Sequence, residues 1–174
     1  MCKEIRRAFL WLSLLPVVWL GTSGCSNISL QSNVDAAAVH KVNRIFILIK
    51  QDDLKTQKLA HDLAADLELC FSNRPTHIEV AILSPLDLDD NSYNHRISAF
   101  DADSVLTISM RSVVVDPYGG LPTINYDASL FDPVTKKRLW RAAIVNSGST
   151  DAMGRRMSKM VESIVTQLEH DGFL

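Results

Sequence analysis

The chain of 174 residues carries 18 lysines and arginines against 20 aspartates and glutamates, a net charge of −2 with its five histidines neutral. A mildly acidic chain has no electrostatic footprint for nucleic acid, and this length suits one ordinary domain.

The first segment reads as an export signal. Lys3, Arg6 and Arg7 give a basic start, Ala8 to Leu20 form an apolar run, and Gly21-Thr22-Ser23-Gly24-Cys25 supplies small residues for a peptidase cleft. The apolar run is broken by Pro16 and falls short of the roughly 20 residues that span a bilayer. This stretch resembles a bacterial lipoprotein lipobox, in which a signal peptidase cuts before the cysteine and the thiol receives diacylglycerol. It departs from that pattern in one place, with Thr22 where leucine is usual. Plain cleavage and an uncleaved anchor are the competing readings. The resemblance implies a signal peptide over residues 1–24 and a lipidated, palmitate-type Cys25 as the membrane attachment. With Ser26 rather than aspartate next, it implies the outer membrane, facing the periplasm. Each buried acyl methylene contributes about 0.8 kcal/mol, so two or three chains make a lasting anchor. Losing Lys3, Glu4, Arg6 and Arg7 makes the remainder more acidic. Cys2 departs with the leader, and Cys70 is left as a lone thiol without a disulfide partner, expected as a small buried hydrophobe.

Residues 25–39, rich in Ser, Asn and Gln, read as a flexible tether between lipid and domain. The folded part then occupies 40–174. Val42 to Ile49 is a continuous apolar run typical of a strand buried on both faces. Asp52 and Asp53 offer a helix start, and Leu59, Leu63, Leu67 and Cys70 or Phe71 repeat at helical spacing until Asn73-Arg74-Pro75 ends the helix. Ile78, Val80 and Ile82 mark a second strand, making a βαβ unit with parallel strands. Ser84 to Asn91 is a loop, and Ser92 to Phe100 a short helix.

The second half alternates. Leu106, Ile108 and Met110 interleave with Thr107, Ser109 and Arg111, and Ile124, Tyr126, Ala128 and Leu130 interleave with Asn125, Asp127 and Ser129. Trp140, Ala142 and Ile144 share one side of a third strand. The connections Asp116–Pro122 and Asp132–Lys137 carry turn residues at hairpin lengths, which predicts an antiparallel meander. A last helix runs from about Asp151 to His170, capped by Ser149 or Thr150. Its inner stripe is Met153, Met157, Met160, Ile164 and Leu168, and Gly172 ends it. The order β-α-β-(α)-β-β-β-α predicts an α/β (α+β) two-layer sandwich: a mixed five-stranded sheet with two main helices on one face and a polar opposite face.

Phe100-Asp-Ala-Asp-Ser-Val-Leu-Thr-Ile108 resembles the strand entry of small envelope lipoproteins. That group includes penicillin-binding-protein activators, the curli-secretion lipoprotein and the amino-terminal domain of TolB. Tyr126 to Ala142 is similar to their recurring hairpin, in which an acidic residue opens the turn, a Thr-Lys pair closes it and a tryptophan follows. The resemblance implies a protein that binds other envelope proteins and is not an enzyme, and it transfers no individual site residue.

Chemistry finds little footing in the remaining residues. Asp87, Asp89, Asp90 and Asn91 suggest a calcium loop, but Ser92 and Ser98 stand where an EF-hand needs glycine and glutamate. Histidines 40, 61, 77, 95 and 170 lack metal-ligand spacing. No serine sits in a nucleophile elbow, and Gly119-Gly120 lies in a turn rather than a phosphate loop. Asp101 and Asp103, two apart at a strand entry, suit backbone bonding better than catalysis. No cofactor is expected. The candidate contact residues are Tyr118 and Leu121 on the hairpin tip and the basic patch of Arg155, Arg156 and Lys159 on the last helix. The expected function is an envelope accessory protein. An auxiliary lipoprotein of lipid or solute transport is the alternative, predicting an apolar pocket, and a hydrolase built on His77 or His95 is a third.

Overall fold

The computed structural model describes residues 27–51, 57–84, 86, 91–114, 122–148 and 153–174. Six strands and three helices follow in chain order: β1 (Asn27–Val34), β2 (Arg44–Lys50), α1 (Gln57–Phe71), β3 (His77–Leu83), α2 (Asn91–Ala99), β4 (Ser104–Val114), β5 (Thr123–Phe131), β6 (Arg138–Ser147) and α3 (Met153–His170). The sheet order is β1-β6-β5-β4-β2-β3. β2 lies parallel to both β3 and β4, and every other pairing is antiparallel. The mixed sheet, the βαβ unit and the meander agree with the sequence pattern.

The apolar run of β2 is explained by its position. Ile45, Ile47 and Ile49 enter the main core beneath α1 and α3, while Phe46 enters a smaller cluster with Ala81 and Val105 on the opposite side. Tyr93 and Ile97 of α2 close that second cluster, so the short helix covers the far face only over β2, β3 and the start of β4. The main core is finished by the inner stripe of α3, where Met157, Met160, Val161, Ile164, Val165 and Leu168 are buried. Gly172, with a φ of 88°, ends the helix. The N–H of Phe173 returns to the carbonyl of Leu168 at 2.9 Å, and the Phe173 ring is buried.

Asp103 and Asp132, in the 100–108 and 126–142 segments, both serve the backbone. The Asp103 carboxylate accepts the N–H groups of Asn43 and Arg44, at 2.8 and 3.2 Å, and so locks the entry of β4 to that of β2. Asp132 accepts the N–H groups of Val134 and Thr135, at 2.9 and 2.6 Å, which shapes the β5–β6 turn and holds its own carboxyl below the ordinary range. Lys136 takes the positive φ that closes the turn.

The expected tether is corrected. Residues 27–34 form β1, which pairs with β6 in unbroken register from Asn27↔Ser147 to Val34↔Trp140. Ile28, Leu30 and Val34 pack on the core while Asn27, Ser29, Gln31 and Asn33 face solvent, an alternation that suits a half-buried strand. The sheet therefore has six strands, not five. Among the described residues no helix is long and apolar enough to cross a membrane.

Candidate functional site

Because α2 stops short, no helix among the described residues covers the far face of β4, β5, β6 and β1. Across it lie Thr107, Ser109 and Arg111, then Asn125, Asp127 and Ser129, then Arg141, Ala143 and Val145, and last Ser29, Gln31 and Asn33. At its centre Asp127 is bracketed by two guanidinium groups, Arg111 at 3.2 Å and Arg141 at 3.5 Å. Both arginines are largely exposed, so each ion pair adds little stability. The other Asp127 oxygen is covered and has no hydrogen-bond donor among the described residues. The Asn125 amide donates to Ser112 at 2.9 Å beside a register shift in β4. The face combines short polar side chains, the apolar Ala143 and Val145, and one carboxylate paired with two exposed guanidinium groups, suited to hydrogen bonding with a largely polar surface.

The predicted contact residues scatter. Tyr118 and Leu121 lie outside the described residues, as do Cys25, Asp52, Asp53 and Asp87. Arg155 and Lys159 are exposed one turn apart on α3. Arg156 is corrected: it is fully buried and belongs to no surface patch. Its guanidinium donates to the side-chain and main-chain oxygens of Asn146, at 2.9 and 2.8 Å, and to the Gly148 carbonyl at 2.5 Å. It thereby fastens α3 to the exit of β6. Burial lowers its pKa from the ordinary value, with the nearby Tyr126 acting in the other direction. Burial likewise pushes the Tyr126 phenol up to about 12, only partly offset by Arg156. Among the described residues the Tyr126 hydroxyl has no hydrogen-bond partner, and it borders a hollow of about 20 Å³ between the sheet and α1. A ligand pocket usually holds roughly 300–1,000 Å³. The hollow is lined mainly by apolar side chains, among them Ile49, Leu59, Leu63, Ile108 and Met110, and is too small for an acyl chain. A larger, open hollow of about 460 Å³ with a mixed lining, including Asn94, Ile97, Asp101, Val134 and Lys136, lies between α2 and the β5–β6 turn.

A second polar node joins β1 and β6 to the end of α3. Asp171 accepts from Ser32 Oγ at 2.9 Å and Trp140 Nε1 at 2.7 Å on one oxygen, and from Gln167 at 2.9 Å on the other, with His170 Nδ1 at 3.1 Å. Burial opposes its ionisation, but hydrogen bonds from Trp140, His170, Ser32 and Gln167 outweigh that and hold its carboxyl below the usual range. The group contains serine, aspartate and histidine, yet the carboxylate stands between the other two. The histidine is not placed to take the serine proton, as a nucleophilic triad requires. Among the described residues no group of three His, Cys, Asp or Glu is arranged to hold a metal. His77 opens β3 and His95 sits mid-α2, both exposed. Cys70 is half-buried beside Arg74, whose guanidinium donates to the Cys70 carbonyl at 2.5 Å.

No protein-family model matches the chain, and no curated protein matches it in sequence. Solved structures do resemble it. The PelC dodecamer from Paraburkholderia phytofirmans aligns over 85% of this chain and 99% of its own, with 10% identity and a TM-score of 0.56. The hypothetical protein CT253 from Chlamydia trachomatis aligns over 75% and 96%, at 12% identity and 0.49. Lipoprotein GNA1162 from Neisseria meningitidis aligns over 73% and 98%, at 15% identity and 0.44. The PelC likeness establishes a shared fold over nearly the whole of that chain. A bacterial lipoprotein stands among the weaker neighbours.

Proposed function

We propose that this chain is a lipid-anchored protein of the bacterial outer membrane, facing the periplasm, which binds another envelope protein as an assembly or regulatory accessory. The observation that carries the binding role is the bare polar face of β4, β5, β6 and β1. A helix covers the adjoining part of that face, and among the described residues none covers this half, where Asp127 lies between two exposed arginines. Support for the anchor comes from Cys25, which stands two positions before the first strand. The motif resemblance to TolB-type domains and penicillin-binding-protein activators supports protein binding over catalysis. A related fold occurs in a protein that forms a dodecamer, so the architecture is compatible with assembly.

The binding role is tested with a photo-crosslinking residue placed at Ala143 on the bare face and, as control, at Glu68 on the exposed side of α1, in intact cells. Ala143 should give one discrete adduct that Glu68 does not. Equal labelling from both, or none from Ala143, removes the assignment of this face. The anchor is tested separately. The mature amino terminus should be an acylated Cys25 by mass spectrometry, and Cys25→Ala should leave the membrane fraction. A free Cys25 thiol defeats that part.

A further inference from the structure

The sheet has two edges, and they differ. β3 carries Glu79 near its middle, tied to Arg96 of α2 at 2.9 Å. β1, at the other edge, runs Asn-Ile-Ser-Leu-Gln-Ser-Asn-Val. It has no charged residue and no proline, and its register with β6 shows no bulge. These are the devices by which natural edge strands avoid pairing with another chain. Among the described residues no strand lies on its outer side.

The backbone polarity of that edge follows from one bond. The Asp35 N–H donates to the Leu139 carbonyl at 2.9 Å, in continuation of the β1–β6 register. Antiparallel pairs alternate between bonded and non-bonded positions, so the odd residues of β1 bond to β6. The N–H and C=O groups of residues 28, 30, 32 and 34 therefore point to the open edge. Ile28, Leu30 and Val34 are the residues whose side chains lie on the core yet remain only partly buried, because the sheet ends beside them.

We propose that this edge pairs with β1 of a second copy of the chain, antiparallel, about a two-fold axis through Gln31. In that register Ile28 meets Val34 of the second copy and Leu30 meets Ser32, as bonded pairs with about eight backbone hydrogen bonds in all. The apolar edge of one core continues into the other. On the far face Ser29 meets Asn33 and Gln31 meets its own symmetry mate, with no like charges opposed. A shift by one residue would place core-facing residues opposite solvent-facing ones, and a shift by two, to an axis through Leu30 or Ser32, would keep only three of the four bonded pairs within residues 28–34. One strand edge is smaller than the roughly 1,200–2,000 Å² of a standard interface, so the contact is weak in dilute solution. It stands whether or not Cys25 carries lipid, although anchoring both copies in one membrane would raise their effective concentration.

Residues 29 and 33 of opposite copies form a non-bonded pair with Cα atoms about 4.5 Å apart, within the range a disulfide spans. Cells co-expressing a Ser29→Cys copy and an Asn33→Cys copy should yield a cross-linked dimer on oxidation. The linked peptides, identified by mass spectrometry, exclude bonds through Cys70. Ser29→Cys alone should give at least fivefold less. Adding Gln31→Lys to both copies should cut the yield at least fivefold, and Gln31→Lys in one with Gln31→Glu in the other should restore it. The proposal is overturned if the mixed pair links no better than Ser29→Cys alone. It is equally overturned if Gln31→Lys leaves the yield unchanged, if the opposed charges restore nothing, or if the cysteines bond to a different protein.

Discussion

Replacing Asp171 with alanine tests whether the node between β1, β6 and α3 holds the edge of the sheet. The carboxylate is the acceptor for the indole N–H of Trp140, a side chain only 1% exposed, at 2.7 Å. Without it a buried donor loses its partner, which costs about 1–3 kcal/mol. The charge-assisted bonds from Ser32 and Gln167 are also lost, though both donors recover part of that by meeting water. The expected destabilisation is about 2–4 kcal/mol, a large share of the roughly 5–15 kcal/mol that holds a domain together. Trp140 is the one tryptophan after residue 24, so in a protein of residues 25–174 its fluorescence follows the affected site directly during urea unfolding. With a slope of about 1–3 kcal/mol per molar, the midpoint should fall by roughly 1–2 M with the slope unchanged. Asp171→Asn keeps an acceptor for the indole and should lose about half as much. A midpoint shift for Asp171→Ala worth less than about 0.5 kcal/mol, the usual scale of a surface substitution, refutes the account.

The same carboxyl sets a pH dependence. Its folded pKa lies below its unfolded value of about 3.8, so its contribution is complete above that value and is lost as pH falls through the lowered folded one. Acid unfolding of Asp171→Asn should therefore be flatter than that of the parent below about pH 4, and parallel curves would contradict this. Arg156→Met removes the donor to Asn146 and Gly148 and leaves buried carbonyls unmatched, an expected loss of about 3 kcal/mol or more in urea unfolding. Arg156→Lys should recover little of it, since one ammonium cannot reproduce the planar fork. Gly148→Ala should destabilise by about 1–3 kcal/mol. Gly148 holds a φ of 151°, and an added Cβ would lie 3.1 Å from Arg156 Cδ. A neutral result in thermal unfolding would show that this corner yields.

Much of the fold is legible in the residues because burial leaves a period. The unbroken apolar run of β2 announces a strand with a layer on each side, and the alternation of β4, β5 and β6 announces one buried and one open face. That alternation also places Asn125, Asp127 and Ser129 on the bare surface before any coordinates are known. Arg156 was hidden by its type. Charged residues are almost never fully buried, yet its spacing of three from Met153 and four from Met160 sets it on the inner stripe of α3. Reading spacing ahead of chemistry would have found it. β1 was hidden by composition. Its outward side chains are Ser, Gln and Asn, the residues of a linker, and only three apolar residues mark its inner side. What orders it is a partner more than a hundred residues away in sequence, β6, together with the bond from Ser32 to Asp171. No local period reports such contacts.

That strand changes what an anchor at Cys25 would imply. A disordered segment of residues 25–39 would let the domain stand tens of ångströms from the bilayer. Since β1 begins at Asn27, only Ser26 separates Cys25 from the sheet. Two residues span at most about 7 Å, so a lipid on Cys25 would hold the β1 end of the sheet against the headgroups. The bare face and the open edge both include β1, so they would lie beside the membrane surface, within reach of partners that are themselves membrane-bound. Inserting a ten-residue Gly-Ser spacer after Ser26 leaves every described contact intact and adds about 16–19 Å of root-mean-square reach. Adduct formation from Ala143 should then fall if the partner is held at the membrane, while the β1 cross-link persists at lower yield. An unchanged Ala143 adduct would show that proximity to the bilayer plays no part in recognition.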